Sequence, residues 1–578
     1  MPRLSTRNGV FVVHEVKFTI ASREIEIGGP EPELRPGEKL VRRTASLCPE
    51  CYRILPAIVL ERDGAIWIRR VCPKHGEIEE IYWSDAELYH RAMEWEIKGL
   101  GIDNPQVDLK YPCPFNCGLC SLHTTCTALA NIVVTNRCDL SCWYCFFYAE
   151  KAGFVYEPTL EQIEYMLKVA RDLRPIPVPA IQLTGGEPTL RDDLVEIVRI
   201  AKRLGVRHVQ LNTNGIRLAF DLDYLRKLRS EGVNTLYLSF DGVTPETNPK
   251  NHWEIPYLFE NCRAARMTSV VLVPTVIKGY NDHELGAILK FAAMNIDIVR
   301  GVNYQPVSLT GRMPRHEREK FRITIPDVIR KIEEQTEGQI AREDWYPTPS
   351  VVPLARFLSL ISGKWYIEFT NHPACGMATY VYVEKRGEKL EDTKMIPITR
   401  FIDAEGFLEY LREKIPEVYE AGKFTKYIKA IDALLKLLTK FIDVNKVPKD
   451  LNLRKILTKI FIKRNYKALG EFHYKLLFIG MMHFMDLYNY DIDRVRRCCI
   501  HYLVPDGRII PFCTFNVLSD IYRDYIQEKY KVPLDEWVKI KGSHTVGPAI
   551  KYRRNVEKLV RGEAYRKHYE EILKLVKR

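Results

Sequence analysis

The stretch CDLSCWYC at residues 138–145 decides how this chain is read, with the apolar run NIVVTN (131–136) before it and LTGGEP (183–188) after it. Three cysteines spaced CxxxCxxC, with no fourth nearby, predict a cubane iron–sulfur cluster that keeps one iron free of protein ligands. That iron is open to a small molecule. Outward from the loop, short apolar runs recur as AIQLTGG (180–186), HVQLNTNG (208–215), TLYLSFDG (235–242), SVVLVPTVIKG (269–279) and GVNYQPV (301–307). Helix-period stretches fill the gaps: TLEQIEYMLKVARDL (159–173), DDLVEIVRIAKRLG (192–205), YLRKLRSEG (224–232) and HELGAILKFAAM (283–294). Six strand–helix units in about 180 residues predict an α/β fold built on a parallel barrel, full or partial, of (β/α)6 TIM type. The strands end in polar or glycine residues: Thr135 and Asn136, Gly185 to Glu187, Asn212 to Gly215, and Ser239 to Gly242. One rim therefore gathers them beside the cysteine loop.

At roughly 150 residues per domain, 578 residues allow about four domain-sized units. Hydrophobic residues at 46% and charged ones at 28% exclude a disordered chain, a collagen-like repeat and a coiled coil. Lys+Arg 86 against Asp+Glu 74 gives a formal charge of +12, which favours anionic partners. Charge alone leaves nucleic acid, phospholipid and phosphorylated metabolites open. No run approaches the about 18 apolar residues of a membrane span, and MPRLSTRNGVFVVHEVKF has no secretory core. A cytoplasmic protein is expected, with peripheral contact at the membrane inner face left open. In that compartment the 15 cysteines read as metal ligands rather than disulfides.

CPEC (48–51) and CPKH (72–75) flank the hairpin-like ILPAIVLERDGAIWIRRV. Cys48, Cys51, Cys72 and His75 predict a tetrahedral mononuclear site for zinc or rubredoxin-like iron. CPFNCGLCSLHTTC (113–126) repeats the CxxxCxxC spacing and adds a fourth thiol, so Cys113, Cys117, Cys120 and Cys126 predict a closed [4Fe-4S] cluster. Cys375, with Cys498, Cys499 and Cys513 around the turn PDGRII, predicts a second closed cluster. Cys262 is expected in a helix core.

CDLSCWYC with LTGGEP, NTNG and LSFDG at successive strand ends resembles the radical SAM superfamily over about residues 128–310. The resemblance implies that Cys138, Cys142 and Cys145 ligate a cluster whose fourth iron is chelated by the amino and carboxylate groups of S-adenosylmethionine. One electron then breaks the sulfonium C–S bond, giving a 5′-deoxyadenosyl radical that abstracts hydrogen. Gly185 and Gly186 are expected to let the backbone approach the methionine moiety, and Glu187 to accept from its ammonium group. Asn212, Ser239 and Asp241 are expected at ribose hydroxyls or the methionyl carboxylate, and Tyr144 on adenine.

Metal sites before and after the core give the whole chain an architecture that resembles archaeal tetraether lipid synthases, a family also associated with pterin methylation. That resemblance implies C–C coupling of isoprenoid chain termini of archaeal diether lipids, with the Cys375 set capturing the first carbon radical on a bridging sulfide. The alternatives are a radical SAM methyltransferase acting on a 7,8-dihydropterin and a non-enzymatic iron–sulfur electron carrier. Implied cofactors are three [4Fe-4S] clusters, S-adenosylmethionine and one mononuclear iron or zinc. Implied partners are a diether lipid and a ferredoxin- or flavodoxin-type reductant, with no nucleic acid. Four regions are expected: an N-terminal metal-binding region 1–127, the radical SAM core 128–310, a mixed, largely helical auxiliary-cluster and substrate domain 311–520, and a helical tail 521–578. Within these, YIKAIDALLKLLTKFI (427–442) and YKLLFIGMMHFMDLYNY (474–490) are expected as core-packing helices or, on a sharper reading, lipid-facing walls. Residues 446–470 are strongly basic, and EKLVRGEAYRKHYEEILKLVKR (557–578) is expected as one solvated amphipathic helix.

Overall fold

The computed structural model describes residues 6–7, 10–11, 16–147, 153–363, 365–385, 392–420, 423–449, 451 and 474–576. Near the N-terminus a six-stranded sheet holds the two cysteine knuckles at one end. Its central hairpin pairs Ile54–Arg62 with Ala65–Cys72, and the turn residues Asp63 and Gly64 both sit at positive φ, as a two-residue turn matching strand twist requires.

The six expected core strands form in sequence order: Leu129–Thr135, Ala180–Gly185, His208–Thr213, Thr235–Ser239, Val270–Val273 and Val299–Pro306. Neighbours run parallel throughout. Ile132, Ile181, Leu183, Val209, Leu211, Leu236 and Leu238 are wholly buried in one core with the covering helices, so their apolar face needs no water. The first of those helices, Leu160–Asp172, starts at a capping box: Thr159 Oγ1 accepts from the Gln162 amide at 3.2 Å, while Gln162 Oε1 accepts from the Thr159 amide at 2.9 Å.

The six expected strands pair in an open order, and the C-terminal half extends that sheet. Leu476–Met482 adds parallel to Val299–Pro306 at one edge, and Ile500–Leu503 adds parallel to Leu129–Thr135 at the other. Antiparallel strands Gly376–Lys385 and Ile509–Pro511 continue the sheet on either side. The core sheet thus takes its outer strands from residues beyond 310.

Two sequence expectations change. Residues 474–490 do not form a helix; Leu476–Met482 is a strand, because a run apolar on both faces looks alike in a buried strand and a buried helix. The C-terminal segment is two helices, Val556–Arg561 and Glu563–Val576, and one of its faces is buried rather than solvated. Tyr565, Tyr569 and Ile572 enter the main core, where Tyr569 stacks on His252 at 4.2 Å and on Phe291 at 5.3 Å. The 427–442 run is the helix Lys423–Lys436 continued through Leu437–Phe441, and it packs Ala433, Phe441 and Ile442 against Phe357 and Tyr382 in a satellite core. Most of the basic 446–470 run, from 452 onward, lies outside the described residues. Among the described residues no helix is long and apolar enough to cross a membrane.

Candidate active site and metal centres

The CDLSCWYC loop leaves the end of Leu129–Thr135 without secondary structure, so its carbonyls need donors from elsewhere. Distant cations supply them. Lys551 Nζ donates to the carbonyls of Cys138 (3.1 Å) and Leu140 (2.7 Å), Arg312 to that of Cys142 (3.1 Å), and Arg523 to that of Phe146 (2.6 Å). The amides of Arg312 and Tyr552 bind the carbonyls of Cys145 (3.0 Å) and Asp139 (3.1 Å). Gly311 makes the first of these possible: at φ +63°, a Cβ there would lie 2.6 Å from the Cys145 carbonyl oxygen. Cys138, Cys142 and Cys145 are half-buried thiols on this one anchored loop, a soft donor set suited to an iron–sulfur cluster. Burial with Asp139 nearby pushes the Cys138 thiol up, and burial also raises Cys142, against the pull of Lys250.

Lys250 carries no motif and sequence reasoning missed it. Its Nζ lies 2.6 Å from Asp241 Oδ2 and 4.7 Å over the Tyr144 ring. Although burial opposes it, Asp241 and the Cys142 thiol hold its ammonium above the ordinary lysine value. Tyr144 is buried, donates its hydroxyl to Asp241, and packs with Ile277, Val307 and Leu309. With Lys250 over its ring, Tyr144 is engaged by the protein rather than offered to adenine. Trp143, at 38% exposure, is the open aromatic of the loop.

Glu187 differs from its expected role. Its Oε1 accepts from the Thr189 amide (3.0 Å), Thr189 Oγ1 (2.6 Å) and Thr213 Oγ1 (2.7 Å), and its Oε2 accepts from the Asn214 amide (2.8 Å). A carboxylate has about four lone-pair positions, so this one is nearly spent knitting two strand ends together. Burial and the neighbouring Asp139 push Glu187 up to about 7. Gly185 and Gly186 also serve the protein: Cβ atoms there would lie 2.0 Å from the Thr135 carbonyl oxygen and 2.1 Å from that of Arg137. Asn212 donates to Thr184 Oγ1 at 3.1 Å, and the Ser239 carbonyl accepts from Asn251 at 2.7 Å.

The sheet face opposite the helices is polar. Asn131, Gln182 and Gln210 sit in register on adjacent strands and form a chain: Gln210 donates to Gln182 at 2.5 Å, and Gln182 to Asn131 at 2.8 Å. Further along, Asn303 and Gln305 both donate to the Tyr237 hydroxyl, Gln305 at 3.1 Å. No sequence motif marks this row; strand alternation of Asn and Gln with apolar residues was the available signal.

At the N-terminal knuckles the ligand atoms of Cys48, Cys51, Cys72 and His75 lie within 4.8 Å of one another, which fits one tetrahedral metal. The Cys375, Cys498, Cys499 and Cys513 thiols feel one another's charge: each of the last three is pushed up by burial and by another thiol of the set. Arg494 Nε donates to Cys375 Sγ and the Met485 amide to Cys513 Sγ, both at 3.4 Å. Of the Cys113 set, Cys113, Cys117 and Cys120 line one cavity that Cys126 does not line. Its Sγ approaches the Gly101 carbonyl at 3.4 Å, and its charged neighbours are Glu368 and Asp103. Cys262 is buried in Ile255–Ala264, as expected.

Comparison with known proteins follows this geometry. The family model described as the radical SAM superfamily matches residues 132–292, and one described as the HMPTM N-terminal zinc ribbon domain matches residues 40–84. A 7,8-dihydro-6-hydroxymethylpterin dimethyltransferase from Methanocaldococcus jannaschii is 47% identical over 514 residues, covering 88% of this chain and 98% of that protein. A probable GTP 3′,8-cyclase from Methanothermobacter marburgensis is 30% identical over 222 residues, 37% of this chain and 68% of that protein. Among solved structures, SuiB of Streptococcus suis bound to S-adenosylmethionine covers 37% of this chain and 48% of its own at 17% identity and a TM-score of 0.29. The matches span the cysteine loop, the strand ends and the ribbon alike, and the chain belongs to the radical SAM superfamily and, within it, to the family of the M. jannaschii pterin dimethyltransferase.

Proposed function

We propose that this radical SAM enzyme attaches one-carbon groups to a reduced pterin, the substrate class named for its M. jannaschii relative. The observation that carries the reading is the row Asn131, Gln182, Gln210 with Tyr237, Asn303 and Gln305 on the polar sheet face. A pterin edge alternates ring nitrogens, a carbonyl and an amino group, which amides can meet. A saturated isoprenoid chain offers such amides no hydrogen bond. When bound at Cys138, Cys142 and Cys145, the cluster and S-adenosylmethionine supply one-electron cleavage to a hydrogen-abstracting radical. The chain's own residues then orient the reactants. Lys551, Arg312 and Arg523 fix the loop. The Lys250 ammonium, held by Asp241, faces an anionic group such as a methionyl carboxylate. A second S-adenosylmethionine or another one-carbon donor provides the carbon. The remaining assignments stand as proposals: zinc or iron at Cys48, Cys51, Cys72 and His75, closed clusters at the two other cysteine sets, and a ferredoxin- or flavodoxin-type reductant.

A second reading, coupling of diether-lipid chain ends, draws on one feature. Phe484 stacks on Phe512 at 4.0 Å, and Phe146 (6.2 Å) and Tyr502 (5.3 Å) reach Phe512, forming an apolar wall between the Cys145 loop and Cys513. Anaerobic incubation of the reconstituted protein with S-adenosylmethionine, reductant and either 7,8-dihydro-6-hydroxymethylpterin or archaeal diether lipid, read by mass spectrometry, separates the two. A methylated pterin is expected; coupled lipid with no pterin product overturns the first reading.

A further inference from the structure

We infer that the iron–sulfur cluster at Cys113, Cys117 and Cys120 takes His123, not Cys126, as its fourth ligand. This rests on the reading that these three thiols hold a [4Fe-4S] cluster. The cavity they line is bounded on its remaining sides by His123, Arg496 and Pro511, and Cys126 is absent from it. His123 is 7% exposed, so its ring is committed to the interior.

The ring is also prepared as a ligand. Its Nε2 lies 2.8 Å from the Cys498 carbonyl oxygen. A carbonyl only accepts, so Nε2 carries the hydrogen, and in the neutral ring the lone pair belongs to Nδ1. Metal-binding histidines use this arrangement, one nitrogen donating to a carbonyl and the other facing the metal. Thr125 Oγ1 donates to the same carbonyl at 2.7 Å, and His501 Nε2 lies 3.2 Å from His123 Nε2, so the Nε2 edge of the ring is held in place. The carbonyl belongs to Cys498, a member of the other auxiliary set. Cys117 Sγ likewise approaches Thr514 Oγ1 at 3.7 Å, beside Cys513. His123 therefore links the two auxiliary sites through a single hydrogen bond. Replacing a thiolate by a neutral imidazole leaves the cluster one negative charge poorer and raises its reduction potential relative to an all-thiolate neighbour.

The test uses full-length protein purified anaerobically with its metals, on a Cys138→Ala, Cys142→Ala, Cys145→Ala background that silences the S-adenosylmethionine site. With 15N-histidine incorporated, pulsed EPR of the reduced protein is expected to show a nitrogen coupled to a cluster, and His123→Cys to abolish that coupling while keeping the iron content. Cys126→Ser is expected to leave both iron and spectrum unchanged. Absence of histidine coupling in the labelled parent, or loss of one cluster's iron in Cys126→Ser, overturns the assignment. If instead Cys113→Ala, Cys117→Ala, Cys120→Ala removes no iron, the underlying cluster reading fails with it. The labelled parent needs no change at His123 or Cys126, so its reading does not depend on whether the variants at those positions fold.

Discussion

Residues 113–120 and 138–145 carry the same CxxxCxxC spacing in two different surroundings. The first loop is roofed by the C-terminal half: the Cys117 amide donates to the Tyr522 hydroxyl at 3.2 Å, and that hydroxyl donates to the Pro114 carbonyl at 2.6 Å. The second loop stands at the strand ends, pinned through its backbone, with Lys250 and Asp241 beside its thiols. Spacing thus selects a cluster type, whereas the residues opposite the fourth iron select whether it is sealed or exchangeable.

The largest effect should separate the loops outright. Replacing Cys138, Cys142 and Cys145 with Ala is expected to abolish 5′-deoxyadenosine formation, while the same change at Cys113, Cys117 and Cys120 removes a similar share of iron and leaves S-adenosylmethionine cleavage detectable. Equal loss in both would erase the distinction. The roofing side is probed through the ribbon. Arg70, wholly buried, donates to the carbonyls of Leu47, Leu487 and Tyr488, each at 2.8 Å, and so secures the segment whose Met485 amide meets Cys513. Arg70→Met strands three carbonyls and should cost about 3–6 kcal/mol, read as a lower urea midpoint. On the open side, Lys551→Met releases the Cys138 and Leu140 carbonyls; cleavage should fall about 10- to 100-fold with little change in iron content, as for other supporting contacts of metal ligands.

The smallest effect is electrostatic. Glu187, at about 7, binds its proton more tightly in the fold than an ordinary carboxyl does. Folded metal-free protein therefore loses stability as pH rises from about 4.5 through about 7, on the order of 1 kcal/mol because Asp139 shares the shift. Glu187→Gln should flatten that slope in urea titrations between pH 5 and pH 8; an unchanged slope would assign it elsewhere.

The strand ends were legible because period-2 apolar runs closing in NTNG or LSFDG have few other uses in an α/β chain. The ribbon knuckles were legible for a similar reason: two short turns around a hairpin bring their donors together locally. What anchors the open loop was not, since Arg312, Arg523 and Lys551 are ordinary cations until the fold puts carbonyls in front of them. That Cys126 lies outside the cavity of the other three thiols was not legible, because counting thiols ignores which way a chain turns between Cys120 and the strand at Leu129. The run at 474–490 misled because hydrophobicity on both faces erases the periodicity that tells strand from helix. The solvated reading of the C-terminal helix failed on Tyr565 and Tyr569, whose stripe looks modest beside so many lysines and glutamates.

Lys551 reaches back across 413 residues to grip Cys138. At ribosomal speeds of about 5–20 residues per second, the nascent loop waits roughly 20–80 s for that grip. Until then the Cys138 and Leu140 carbonyls go without their donor, although Arg312 and Arg523 already hold the Cys142 and Phe146 carbonyls. A shortened chain ending before residue 551 should therefore keep most of its iron yet cleave S-adenosylmethionine as poorly as Lys551→Met.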